Sequence, residues 1–402
     1  MKMPKGWEII KLGEVCDIQL GKTPHRKTLV FWDKDKKTSN IWLSISDLKH
    51  GNIIFDSKEY VSDLGAKKIN ITPRGTLMVS FKLTLGRVSF AGVDLFTNEA
   101  IASLINLNSK IIKQILFYYF SFLNWHKIAG GDIKVKGKTF NKKSLYNLLI
   151  IVPPMAEQKR IVKILDEAFA GIDKAKENAE KNLANAKELF QSYLNNIFAN
   201  PGKDWEIKKL VDFYNITSSK RVFKSEWKIS GVPFYRAREI VKLAKYGFVN
   251  NELFISKEMY NQYKKRYGIP KKEDIMVTGV GTLGRCYVVK PNDKFYFKDG
   301  NIIWLRKKKE INSKFVEYAF KSKYFINQIH DVVGATVRTF TIIRAKNTKL
   351  PTPPLFEQKQ IVDKLDALSA ESKRLEKIYT QKIANLDELK KSLLNKAFTG
   401  EL

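Results

Sequence analysis

Basic and hydroxyl side chains gather in short polar stretches of this sequence. Lys22, Thr23, Arg26 and Lys27 lie near the start, followed by Lys82 and Arg87 and by the polar loop of Lys134, Lys136 and Lys138. The second half supplies Lys220 and Arg221, Arg236 and Arg238, Arg285, and Arg338. Lysine and arginine neutralise phosphates, and a guanidinium can fork onto a guanine edge. Each alone is equally well a solvated surface charge. As a set, on a chain of net charge +31, they point to contact with DNA. The excess is +12 over residues 1–200 (31 Lys+Arg, 19 Asp+Glu) and +19 over 201–402 (41 against 22), so it is not a basic tail. A lysine-rich proteome is the other source of such charge.

No reactive constellation emerges, so the expectation is no catalytic residue and no metal ligand in this chain. Gly21-Lys22-Thr23 imitates the end of a phosphate-binding loop, but the first glycine of that motif would fall on Cys16. His25, His50, His126 and His330 hold no corresponding positions and no ligand spacing with Cys16 or Cys286. A Gly-x-Ser-x-Gly elbow and a glycine fingerprint for a dinucleotide are both missing. Two cysteines give no disulfide framework, the N-terminus lacks the apolar core of a signal peptide, and no apolar run could span a bilayer. A cytoplasmic protein with no membrane partner is expected.

The elements that would position these cations repeat. PPMAEQKRIVKILD at 153–166 and PPLFEQKQIVDKLD at 353–366 share nine of fourteen residues. Trp7 and Trp205 open similar stretches, and Thr84-Leu85-Gly86-Arg87 recurs as Thr282-Leu283-Gly284-Arg285. The chain therefore reads as two copies of one unit: domains at 1–152 and 201–352, and long helices at 153–200 and 353–402. Runs around Ile53, Leu77 and Ile275 read as strands between turn signals, and 110–127 and 312–330 as helices whose Phe117, Phe120, Phe315 and Phe320 belong to the core. The fold class is α+β, with two mixed α/β domains. The duplicated Thr-Leu-Gly-Arg is either a turn that the fold needs or a contact element.

Proline suits a first helical turn, and apolar residues then step by threes and fours. Ile161, Leu165, Ala168, Ile172 and Ala175 form one seam; Ile361, Leu365, Leu368, Leu375 and Leu386 form the other. This is a coiled-coil pattern with a local stutter. Alanines 168, 175 and 186 stand opposite leucines 368, 375 and 386 in the alignment, so the helices suit each other better than themselves. An intramolecular antiparallel coiled coil follows, about 60 Å long, with pseudo-twofold symmetry and the domains at opposite ends. Glu157, Gln158, Glu357 and Gln358 are expected at the junction of domain and helix.

The paired Pro-Pro-x-x-Glu-Gln-Lys-x-Ile-Val helices, the Trp-Glu-Ile-x-x-Leu starts, Leu20-Gly21-Lys22-Thr23-Pro24, Ile45-Ser46-Asp47-Leu48 and the Thr-Leu-Gly-Arg stretches together resemble the specificity subunit of type I restriction–modification systems. The resemblance covers the full length. It departs in the second half, where Thr217-Ser218-Ser219-Lys220 replaces Gly-Lys-Thr-Pro and Arg238-Glu239-Ile240 replaces Ser46-Asp47-Leu48. It implies two target recognition domains that read different half-sites of double-stranded DNA, with the helices as spacers. It also implies two methylation subunits carrying S-adenosylmethionine, restriction subunits using ATP and magnesium, and no cofactor in this chain. A coiled-coil scaffold with incidental charge and a stand-alone nuclease are the alternatives.

Overall fold

The computed structural model describes residues 3–128, 140–330 and 339–402. The chain forms two compact units: Met1–Ala179 with Gln381–Leu402, and Glu180–Thr380. Two helices of 45 residues run over Met155–Ala199 and Leu355–Thr399, each beginning directly after a Pro-Pro pair. The compact units cut across both helices, so each unit owns a portion of each.

In unit 1 a five-stranded sheet runs in the order Asp17–Leu20, Ile101–Ile105, Leu77–Ser80, Val88–Ala91, Ile53–Ile54. Its pairs are antiparallel except the last, where Ile53 lies beside Phe90 and Ile54 beside Ala91. Successive strand residues face opposite sides, yet Leu77, Met78, Val79 and Ser80 are all buried. The sheet is therefore covered on both faces. Leu77 and Val79 pack with Ile115, Leu116 and Phe120 of the helix Lys113–Phe122. Met78 packs with Ile41, Leu43 and Leu95 of a second, four-stranded sheet.

Unit 2 repeats the scheme with Tyr214–Thr217, Ile302–Lys307, Ile275–Thr278 and Cys286–Val288. Ile275 and Val277 face Phe315 and Val316, whereas Met276 faces Ile240 and Leu243. Here the covering element is new. Helices Ala237–Tyr246 and Lys257–Tyr267 occupy an interval that in unit 1 holds short strands and one helical turn. A two-stranded antiparallel ribbon closes each globular part: Glu8–Lys11 on Leu149–Val152, and Glu206–Lys209 on Lys349–Thr352.

The two aromatic helices are each broken in two. Lys113–Phe122 is followed by Trp125–Ile128, and Ser313–Lys321 by Lys323–His330. The break is a second N-cap that a continuous apolar pattern conceals. The Asn124 side chain accepts from Lys127 N, and Ser322 Oγ accepts from Phe325 N, with Ser322 in extended backbone.

In unit 1 the two long helices run antiparallel. Lys176 Nζ lies 2.6 Å from Asp387, and Lys390 pairs with Asp173, so three residues forward on one helix are three back on the other. Such partly exposed pairs report register more than stability. Ile161, Leu165, Ile172 and Ala179 are buried, and Ala168 and Ala175 half-buried. In unit 2 Leu365 and Ser372 are buried, with Ile361, Leu368 and Leu375 half-buried; Leu386, in unit 1, is half-buried as well. The seam pattern passes over Val362, Leu194, Phe198, Leu394 and Phe398, which are all buried, while Ala397, which it includes, is buried too. The helix ends explain most of these. There each helix enters a globular core and is covered on more than one stripe: Phe198 packs on Phe315 with ring centroids 5.3 Å apart, and Phe398 on Tyr119 at 5.1 Å.

Candidate nucleic-acid interface

The frame that holds the cations is pinned twice, by the same residues. Gln158 is fully buried; its Oε1 accepts from Ile112 N at 2.9 Å, and its Nε2 donates to Lys110 O and Pro153 O at 2.7 and 2.8 Å. Gln358, 200 residues on, accepts from Asn312 N at 2.9 Å and donates to Pro353 O at 2.8 Å. Each amide thus satisfies backbone groups at the junction of domain and helix, where an unpaired polar group would be costly. Glu157 pairs with Arg160, and Glu357 accepts from the Trp205 indole at 2.9 Å.

The Thr-Leu-Gly-Arg stretches lie in the loops that join paired strands, and their internal bonding is the same in both. Ser80 Oγ accepts from Arg87 N at 2.9 Å and donates to Thr84 O; Thr278 Oγ1 accepts from Arg285 N at 3.0 Å and donates to Thr282 O. Gly86 and Gly284 take φ of +79° and +69°, open to glycine at little cost. The duplication is therefore explained by a turn the fold requires. The arginines themselves part company. Arg87 is half-buried and its Nη1 donates to Ile45 O and Leu48 O at 3.5 and 3.4 Å, whereas Arg285 is exposed.

Around the start of unit 1, Lys22 and Lys27 are exposed and Thr23 donates to Glu99 at 2.5 Å. Arg26 is held from three sides. It forks onto Glu59 and lies over the rings of Trp32 and Trp42, 4.1 and 4.6 Å from their centroids. Lys82 is half-buried with its ammonium 5.4 Å from the Phe81 ring. Lys134, Lys136, Lys138 and Arg338 lie outside the described residues.

In unit 2, Lys220 lies 5.3 Å above the Tyr267 ring and Arg221 pairs with Asp299 at 3.2 Å. Arg236 and Arg238 converge on one carboxylate, Glu239, which is 3% exposed. Burial alone would raise the pKa of Glu239, but hydrogen bonds from Arg236 and Arg238 outweigh it and hold the carboxyl below its ordinary range. Arg238 also reaches Glu252 at 2.5 Å. Unit 1 has the matching device without the cations. Asp47 accepts from Ser44 N at 3.0 Å, as Glu239 accepts from Arg236 N at 2.9 Å, and buried Leu48 and Ile240 follow directly. One turn is thus built alike and decorated differently: Ser44 and Ser46 in unit 1, Arg236 and Arg238 in unit 2.

Sequence reasoning named the cations and missed the groups that fix them: Glu59, Glu99, Asp299 and Glu252, and the indoles of Trp32 and Trp42. The Arg236–Glu239 spacing was the one local signal available; the other partners are brought together by folding. Among the described residues no three His, Cys, Asp or Glu side chains are grouped to hold a metal, and no helix is long and apolar enough to cross a membrane.

Known proteins are similar to this chain in sequence and in fold. The type I restriction enzyme MjaVIII specificity subunit of Methanocaldococcus jannaschii is 25% identical over 435 residues, spanning 100% of this chain and 94% of the relative. Two solved structures share the fold. A chain from a type I restriction–modification system, solved for its complex assembly and conformational transition, has a TM-score of 0.74 at 19% identity over 100% of both chains. The HsdS subunit from Thermoanaerobacter tengcongensis has a TM-score of 0.62 at 18% identity, over 100% of this chain and 99% of that one. The family model described as type I restriction modification DNA specificity domain matches twice, over residues 4–182 and 202–385, and the chain belongs to that family.

Proposed function

We propose that this chain selects the DNA sequence for a type I restriction–modification complex and does no chemistry itself. Each globular unit reads one half-site of a bipartite double-stranded target, and the paired long helices set the unread gap, as half-site spacing is set in dimeric DNA-binding proteins. The observation that carries this reading is the contrast inside a duplicated frame. Gln158 and Gln358, and the turns at 80–87 and 278–285, are kept alike. The turn that opens with Ser44 in one unit opens with Arg236 in the other. Two readers on one scaffold need that combination.

In this reading two methylation subunits bring S-adenosylmethionine, and restriction subunits bring ATP and magnesium. Methylome sequencing of a host that expresses this chain with its methylation partner tests it. A methylated motif of two short specific parts with a fixed gap is the expected result; unmodified host DNA, or a continuous motif, overturns it. Inserting one heptad into the 155–199 helix and its counterpart in 355–399 should change the gap and leave both half-sites as they are.

A further inference from the structure

The duplicated arginine does two different jobs. In unit 1, half-buried Arg87 is turned inward, with Nη1 3.5 and 3.4 Å from the carbonyls of Ile45 and Leu48. In unit 2 the corresponding carbonyls belong to Ala237 and Ile240, which the helix Ala237–Tyr246 takes for its own ladder. Arg285 therefore has no backbone acceptor to close on. It is exposed, and among the described residues its guanidinium makes no hydrogen bond or ion pair; its backbone N–H and carbonyl are both engaged by Thr278.

What surrounds Arg285 is a cleft of 440 Å³ lined by Gln191, Thr282, Arg285, Phe320, Lys321 and His330. A second hollow that shares Arg285 and Lys321 with it adds Lys245. Lys321 is held by Glu317 at 2.6 Å and lies 5.0 Å above the Tyr318 ring, and Lys245 lies 4.8 Å above the Tyr246 ring. These contacts fix the cations without consuming their remaining donors, because an ammonium has three. Glu317 is the single carboxylate among these groups, and it is already bonded to Lys314 and Lys321. In unit 1 the place of Lys321 is taken by Ser121, whose hydroxyl meets His50 Nε2 at 3.2 Å. Burial lowers the His50 pKa, so a neutral pair stands there.

We infer that the cleft at Arg285, with Lys321 and Lys245, is a DNA backbone phosphate site present in unit 2 and absent at the equivalent place in unit 1. It rests on the reading of this chain as a DNA-binding subunit and adds an asymmetry to it. Unit 2 grips the backbone here with three cations, while half-buried Arg87 is turned towards the 45–48 segment. Phosphate contacts carry no sequence information, so the target need not be known to test this.

The probe is a 40-base-pair duplex of mixed sequence, titrated with the full chain at several salt concentrations. Removing one cation from a phosphate reduces the slope of log K against log salt by about 0.9. Arg285→Ala is expected to reduce the slope by about that amount with an unchanged Tm, and Arg285→Lys to restore most of it. Arg87→Ala is expected to keep the slope and to lower Tm by about 2–4 °C. An unchanged slope in Arg285→Ala, or an equal fall in Arg87→Ala, overturns the inference. A wild-type chain with no salt-dependent binding at all would instead count against DNA binding by the chain, so the two failures are distinguishable. Lys321→Gln supplies a second variant: its slope must also fall, and its folding is checked by the same thermal unfolding.

Discussion

The Tyr118 hydroxyl donates to the Asp166 carboxylate, and 200 residues later Tyr318 donates to Asp366. Each bond ties the aromatic helix of a domain to the first turns of a long helix. Burial, then the bonded carboxylate, pushes both phenol pKa values well above their ordinary range. A raised folded-state pKa means stability that is complete below the unfolded value of about 10 and lost as pH rises through the folded one. Tyr118→Phe should cost about 1–2 kcal/mol at pH 7, and the gap between mutant and wild type should narrow above pH 10. Denaturant unfolding of the full chain at pH 7 and pH 10.5 measures both.

Replacing Gln158 with leucine should be more damaging. It removes the acceptor for Ile112 N and the donor for two carbonyls in a site with no exposure. Each buried group left unpaired costs about 1–3 kcal/mol. Gln158→Glu keeps an acceptor but introduces a buried charge, and should be no better. Urea midpoints for the two variants and for Gln358→Leu check the ranking.

Three glycines with left-handed backbone give a graded test. A Cβ on Gly86 would sit 2.1 Å from the Trp125 ring, one on Gly284 2.7 Å from the tip of Ile329, and one on Gly51 within 4 Å of nothing. All three alanine variants bear the strain of φ near +70 to +80°, about 1 kcal/mol. Gly86→Ala adds a clash with a rigid indole and should lose about 1–3 kcal/mol more; Gly284→Ala falls between, because Ile329 can rotate. Thermal unfolding should order them Gly86, Gly284, Gly51, from most to least harmful.

Glu239 makes unit 2 acid-sensitive. Its folded pKa lies below the unfolded value of about 4.3, so its contribution is present above that pH and lost as pH falls through the folded value. Glu239→Gln should lower stability by about 1–2 kcal/mol at pH 7. The deficit should shrink towards pH 3, because protonation of the unfolded carboxyl below about 4.3 takes the advantage of wild type away. Equal deficits at both values would show that the carboxylate charge is not what matters.

Ser372 offers the opposite sign. Its hydroxyl is buried in the second long helix with no partner among the described residues. Ser372→Ala removes an unsatisfied group and improves helix propensity, and should raise stability by up to about 1 kcal/mol. A fall in the urea midpoint would place a hydrogen-bond partner on that hydroxyl.

The duplication, the strands near Ile53, Leu77 and Ile275, the long helices and their pairing were legible because each rests on a local pattern. The frame glutamines were legible as junction residues by their place after a Pro-Pro pair. What escaped was created by tertiary packing. Leu194 and Phe198 were hidden because a helix buried on two faces shows no single stripe. The breaks at Asn124 and Ser322 were hidden because one polar residue among aromatics is a weak signal. Arg87 and Arg285 were indistinguishable in sequence, since what separates them is a helix that begins 48 residues before Arg285 and takes the carbonyls away.

The ribbons have a further consequence. Glu8 sits beside Val152, and Glu206 beside Thr352, so each globular part leaves the frame and returns to it at one place. A segment with neighbouring ends behaves as a cassette. Its interior can be rebuilt, as the helix Ala237–Tyr246 illustrates, and its border with the frame falls in a two-stranded clasp and not in a helix seam. Diversity of the readers and constancy of the frame are thus separated by four short strands.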